Sequence, residues 1–339
     1  MLPVAELHLH IEGTLEPELL VRLAARNGVP LPTTDVAELR NRYRFGNLRS
    51  FLDLYYASMR VLRTEQDFYD LASAYLTRAQ AAGVRRAEIF FDPQSHTGDG
   101  VPIGAVFAGL TAALADAKSD LSADLIMCFL RDRGPDAAMD TLEAALPFRD
   151  HFIGVGLDST ELGHPPAAFK DVYRRAATQG LRLVAHAAEE GPPEYVHEAL
   201  DVLRAERIDH GVRSMEDAGL VARLREEQVP LTVCPLSNVA LKVVGTLREH
   251  KLPVMLDAGL LVTVNSDDPA YFGGYVDDNF AAVRDVFGFS DEVLAGLARN
   301  SFDACFAPEE DKRHWKAEVD AWLTAPTASQ ASPASPAST

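Results

Sequence analysis

The run Leu7-His8-Leu9-His10 places two imidazoles two residues apart near the start of the chain. In an extended strand, residues i and i+2 share one face, with their Cα atoms about 6.6 Å apart. Two imidazoles so placed can converge on one metal ion, each nitrogen about 2.0–2.1 Å from it. A polar strand face with two solvated histidines would carry the same letters, so the pair needs company. His186 and His210 supply it, standing at the ends of the apolar runs 181–187 and 207–212. Asp267 and Asp268 follow a third such run, 260–264. Imidazoles and a carboxylate together suit a divalent ion such as zinc. A core histidine or an N-cap aspartate would explain each residue singly. Neither explains why all of them end strands.

Eight short apolar or β-rich runs can be read along the chain: 4–11, 84–91, 123–130, 152–157, 181–187, 207–212, 231–234 and 260–264. Segments of helical period separate most of them, at 65–82, 103–118, 136–146, 166–179 and 193–204. Gly83, Gly180, Pro230 and Gly259 punctuate the joins. Strands alternating with helices imply parallel pairing, because each crossover returns the chain to the same edge. Eight such units match an α/β fold of the (β/α)8 TIM-barrel type, whose usual length is roughly 250 residues. Extra helices are expected in the long first crossover, 16–63, and after the last strand, at 276–287, 291–300 and 311–323. A doubly wound open sheet is the rival, but His10-Ile11-Glu12-Gly13 after the first run is not its glycine-rich phosphate loop. In a barrel, all strand C-termini open on one rim, which brings His8, His10, His186, His210, Asp267 and Asp268 together.

The chain has 339 residues with Lys+Arg 32 against Asp+Glu 50, a formal net charge of −18. That balance argues against a general grip on nucleic-acid phosphates or an anionic membrane. No apolar run reaches the roughly 18 residues of a membrane span, and no secretory signal opens the sequence. The expectation is a soluble cytoplasmic protein that acts on a small molecule. Cys128, Cys234 and Cys305 are odd in number and far apart, so they form no disulfide framework and no CxxC zinc site. Residues 1–324 read as one domain, and 325–339 as a disordered Ala/Ser/Pro/Thr tail.

The motifs HLHIEGT (8–14), AHAAEEGPPEY (185–195), RIDHGVR (207–213), CPLSN (234–238) and VNSDDPAYFGGY (264–275) resemble the adenosine/adenine deaminase family of the amidohydrolase superfamily. The similarity runs from about residue 3 to 306. It implies one catalytic zinc per chain, held by His8, His10, His186 and Asp267. Glu189 resembles the proton donor to N1 of an amino purine, and His210 the residue that orients and deprotonates the attacking water. Asp268 resembles the carboxylate that hydrogen-bonds N7. Binuclear superfamily members carry a carboxylated lysine at the end of the fourth strand, and GLDSTELG (156–163) has none. A Cys-ligated nucleic-acid deaminase is excluded, because its H-x-E…P-C-x-x-C signature is missing.

Three letters bear on the substrate. The adenosine-using branch has HxDG where this chain has Glu12, so the resemblance points to the adenine deaminase branch and to free adenine, giving hypoxanthine and ammonia in purine salvage. Glu12 would fill the space of a ribose or accept from N9–H. The family's HAGE reads His186-Ala187-Ala188-Glu189 here, and an added methyl matters if that position needs φ > 0. The glycine that offers an N–H to ring N3 is missing after the fourth strand, leaving Ser159 or Thr160 as a substitute. Adenosine or an N6-substituted purine is the alternative substrate, and another zinc hydrolase on the same barrel the alternative enzyme. A metal-stabilised purine-binding protein without turnover is the alternative of another class. It would have no need of Glu189 and His210.

Overall fold

The structure, a computed structural model, describes residues 1–325, so all of the low-complexity tail but Ala325 lies outside the described residues. Eight parallel strands follow one another in chain order: β1 (Val4–Glu6), β2 (Val84–Phe91), β3 (Ser122–Leu130), β4 (Gly154–Asp158), β5 (Arg182–Ala187), β6 (Arg207–His210), β7 (Leu231–Val233) and β8 (Val262–Val264). The seam between the last and first strands is closed by an isolated bridge between Leu9 and Asp267. Two backbone bonds reinforce it, His10 N to Asp267 O and Asp267 N to His8 O, each 3.0 Å. This is a (β/α)8 barrel, not an open sheet.

Side-chain alternation divides the strands between two cores. Ile89 and Phe91 of β2 face the large apolar core beneath the helices. Phe90 points the other way, into a small interior cluster with Ile126, Cys128 and Val184. Below that cluster, the barrel floor is charged yet closed to water. Glu88 and Arg207 are fully buried and paired at 2.5 Å, with Arg86 on the same carboxylate at 3.1 Å. Phe306 caps the group, its N–H donating to Glu88 at 2.6 Å and its ring lying 4.7 Å beneath the Arg207 guanidinium. Buried charges persist only when they are paired in this way.

The first crossover holds three helices, α1 (Pro17–Asn27), α2 (Val36–Asn41) and α3 (Leu48–Met59), before α4 (Glu65–Ala82) leads into β2. The bounds of α4 match the sequence reading because both ends are written locally. Thr64 and Asp67 form a capping box, and Gly83 ends the helix at φ +95°. Elsewhere the periodicity was smoother than the backbone. Segment 166–179 divides into a 3-10 turn, Pro166–Phe169, and a helix, Lys170–Thr178. Segment 193–204 divides into a helix, Glu194–Glu198, and a π-helical turn, Ala199–Leu203. The first strand is also shorter than its run. Past Glu6 the chain changes partner from residue to residue, with Leu9 bridging Asp267 and His10 bridging Phe90, so no regular ladder forms. Helices Val276–Phe287, Asp291–Ala304 and Glu309–Thr324 follow β8. No helix among the described residues is long and apolar enough to cross a membrane.

Candidate active site at the barrel rim

The strand ends bring the histidines together as their positions demanded. His10 Nε2 and His186 Nε2 are 3.2 Å apart, while Asp267 Oδ1 lies 3.5 Å from His8 Nε2 and 3.6 Å from His10 Nε2. Ligand atoms about 2.0–2.1 Å from a tetrahedral ion stand about 3.3 Å apart, so these spacings fit one. His8 Nε2 is buried without a hydrogen-bond partner, as a nitrogen kept for a metal would be. The possible ligand atoms form three overlapping groups, two of which share His8, while the third joins His10 to Asp92 and Asp158. Of the two with His8, one is His8, His10 and His186; the other is His8, His210, Cys234 and Asp267.

Each imidazole meets a polar group through its second nitrogen. His8 Nδ1 is 2.9 Å from Thr232 Oγ1, His10 Nδ1 is 3.5 Å from Asp158, and His186 Nδ1 is 3.5 Å from Asp209. The His8 contact is a hydrogen bond of the kind that fixes ring orientation and tautomer around a metal, whereas the two at 3.5 Å are longer than a hydrogen bond. Ser237 donates to Asp267 Oδ2 at 2.6 Å and orients the carboxylate. Asp158, Asp209, Thr232 and Ser237 were not singled out from the sequence, although Asp158 satisfies the same strand-end criterion.

Glu189 and His210 sit beside this cluster, with His210 Nε2 3.6 Å from Glu189 Oε1 and 3.8 Å from Asp267 Oδ2. Burial, then the charge of Asp267, pushes the Glu189 carboxyl well above the usual range. The same two causes push Asp268 up. Burial opposes ionisation of Asp267 as well, but His8, His210 and His10 outweigh it and hold that carboxyl well below its ordinary value. Neighbouring carboxylates are thereby driven apart in protonation state. Burial and the neighbouring His8 push His210 well down, so its imidazole is neutral and able to accept a proton. Four non-glycine residues of the rim have left-handed backbone: Ser159 (φ +70°), Ala188 (φ +58°), His210 (φ +63°) and Asp267 (φ +68°). Strain of this kind gathers at functional sites. At position 188 the alanine therefore occupies a conformation that suits glycine better.

The cavity is walled by His10, Asp92, Asp158, Ser159, His186, Glu189, His210, Asp267 and Asp268, with Leu241 beside them. Leu48, Phe51, Leu52, Tyr55 and Tyr56 of α3 roof it. Tyr56 OH and Ser159 Oγ are 2.9 Å apart, and Ser159 donates to Asp132 at 3.2 Å, which ties the roof to the β4 loop. Ser159 thus reaches the cavity, with its hydroxyl already engaged. Glu12 is placed differently from the sequence expectation. It is buried behind the wall, where Oε1 accepts from Asp92 N at 3.1 Å and pairs with His96 Nε2 at 2.9 Å. It neither fills the cavity nor faces a base there. The His96 ring is itself buried and packs edge-on against Phe68. Gly13, the next residue after Glu12, touches the site by its lack of a side chain. A Cβ there would lie 2.1 Å from Asp268 Oδ1 and 2.6 Å from its Cα. Gly13→Ala is expected to displace Asp268 and lower kcat/KM at least about tenfold with metal content retained. Steady-state kinetics beside metal analysis would check it, and unchanged kinetics would refute it.

The adenosine deaminase family profile matches residues 3–322. The chain belongs to the adenosine deaminase family. Among its relatives in this family, an adenine deaminase of Streptomyces coelicolor is 62% identical over 325 residues, 95% of this chain and 96% of the relative. An adenine deaminase of Hahella chejuensis is 55% identical over 324 residues, covering 95% and 97%. The crystal structure of an adenine deaminase from Arthrobacter aurescens matches with a TM-score of 0.95 at 56% identity, covering 96% of this chain and all of that one. A zinc-bound amidohydrolase from Burkholderia ambifaria matches at 0.87 and 28% identity, covering 95% and 90%. Membership in the adenosine deaminase family makes the chain a hydrolytic deaminase of small amino purines, and its rim holds a metal-competent group of His and Asp residues.

Proposed function

We propose that the protein is a cytoplasmic adenine deaminase that uses one zinc ion per chain to convert adenine to hypoxanthine and ammonia in purine salvage. The observation that carries the adenine reading is the 62% identity to a relative named adenine deaminase, over nearly the whole of both chains. His8, His10, His186 and Asp267 would hold the ion. Zinc would supply Lewis-acid activation of a water at neutral pH.

The protein's own groups do the rest. His210, neutral and within reach of the ligand cluster, takes the proton of the attacking water. Glu189, kept protonated by burial, gives its proton to N1, so that negative charge does not build up on the ring. The tetrahedral carbon then collapses: His210 returns its proton to the exocyclic amine, which leaves as ammonia, while the hydroxyl proton lost in forming the carbonyl restores the Glu189 carboxyl. Asp268, also protonated, donates to N7, which an ionised carboxylate could not do. The aromatic roof of α3 excludes water from the reacting ring. Glu12 acts at one remove, holding Asp92 and His96 in the wall. Ser159 contributes through its bond to Tyr56 of the α3 roof.

Ammonia release from adenine and adenosine, measured side by side on zinc-replete enzyme, tests the reading. Adenine is expected to turn over with kcat/KM at least about 10²-fold above adenosine. Equal or greater turnover of adenosine would refute the substrate assignment. Bound zinc without turnover of any amino purine would refute the enzyme.

A further inference from the structure

We propose that Glu161, in the loop after β4, is a positioning residue that locks the loop carrying Glu189 into its working shape. Its buried carboxylate accepts four backbone N–H groups. Ala188 N reaches Oε1 at 2.6 Å, while Glu189 N, Glu190 N and Gly191 N reach Oε2 at 3.1, 2.8 and 2.8 Å. Consecutive amides turned to one point form an anion-binding concavity, and a residue of left-handed backbone makes the turn. Ala188, at φ +58°, is that residue. The anion is built into the protein, twenty-eight residues upstream of Glu189.

Three further contacts show that the loop is held rather than merely touched. Gly191 leaves room for the carboxylate, because a Cβ there would stand 2.5 Å from Glu161 Oε1. On the opposite side Arg213 donates to the carbonyls of Glu190 and Gly191. The wholly buried Arg131 donates to His186 O at 3.0 Å and to His164 O at 3.0 Å, fixing the end of β5 and the chain after Glu161. Amides, carbonyls and strand end are thus all engaged around one side chain that must be aimed. Four charge-assisted bonds within one turn outweigh the unfavourable backbone at Ala188.

The inference rests on the reading of Glu189 as proton donor, and the test keeps the two apart. Glu161→Ala is expected to lower kcat on adenine about 10²-fold, with KM within about threefold and zinc content unchanged. The amides of 188–191 should exchange with solvent faster. Glu161→Gln keeps one acceptor oxygen and should recover about tenfold of the loss. In a Glu189→Gln background, Glu161→Ala should cost less than about threefold more, because it acts through the missing acid. Gly191→Ala, which pushes on the same carboxylate from the loop side, should repeat the kcat loss if Glu161→Ala does not fold. Wild-type kcat and amide exchange in folded, zinc-replete Glu161→Ala would overturn the proposal. So would the same fractional loss with and without Glu189. Wild-type enzyme inert toward adenine would remove the substrate reading alone, since amide exchange would still decide the lock.

Discussion

Glu189→Gln is expected to lower kcat about 10³-fold while KM stays within a few-fold and zinc content is unchanged. Gln fills the same volume but has no acidic proton to give the ring. The carboxyl it replaces is buried and 3.6 Å from His210 Nε2. Glu189 belongs to none of the groups of possible ligands, so metal binding should not suffer. The effect must appear in kcat because the proton moves in the transition state, whereas the amide still fills the pocket. Steady-state kinetics paired with metal analysis would check it. A loss under about tenfold would mean that N1 is protonated from elsewhere.

The second large effect separates ligands from base. His186→Ala is expected to cut bound zinc from about one per chain to under about 0.1, and turnover with it, because one imidazole of the set is gone. His210→Asn should keep the zinc and still lose about 10³-fold in kcat, because a proton acceptor is gone. The pair is informative because geometry alone admits both His186 and His210 near His8 and Asp267. Zinc lost from His210→Asn and kept by His186→Ala would assign the ion to the group that contains His210. Metal analysis after gel filtration, followed by zinc add-back, reads both variants on the same scale.

Legibility in the sequence followed the range of the interaction. Strand β2 and helix α4 could be bounded to the residue, because the signals are local: an apolar run, a capping box and Gly83. The metal-competent histidines were visible because strand ends share one rim whatever the loops do. β1 was over-read because an extended run does not reveal where its partners change. Glu12 misled for a related reason. Its position next to His10 suggests the cavity, but its direction is set by His96 and Asp92, more than seventy residues away. Glu161 and Arg131 passed unnoticed because a lone charge in a loop reads as solvated. The charges there become informative only once burial and backbone partners are known. Gly191 was the one local trace, a small residue beside a carboxylate that arrives from another loop.

The closure of the barrel at Leu9 and Asp267 has a consequence for synthesis. His8 and His10 leave the ribosome more than 250 residues before Asp267. A nascent chain therefore carries an incomplete claw until almost the whole barrel has emerged. Joining the first and last strands of the barrel and assembling the claw are one event. A chain that ends before Asp267 lacks both the seam of the barrel and one member of the metal-competent group.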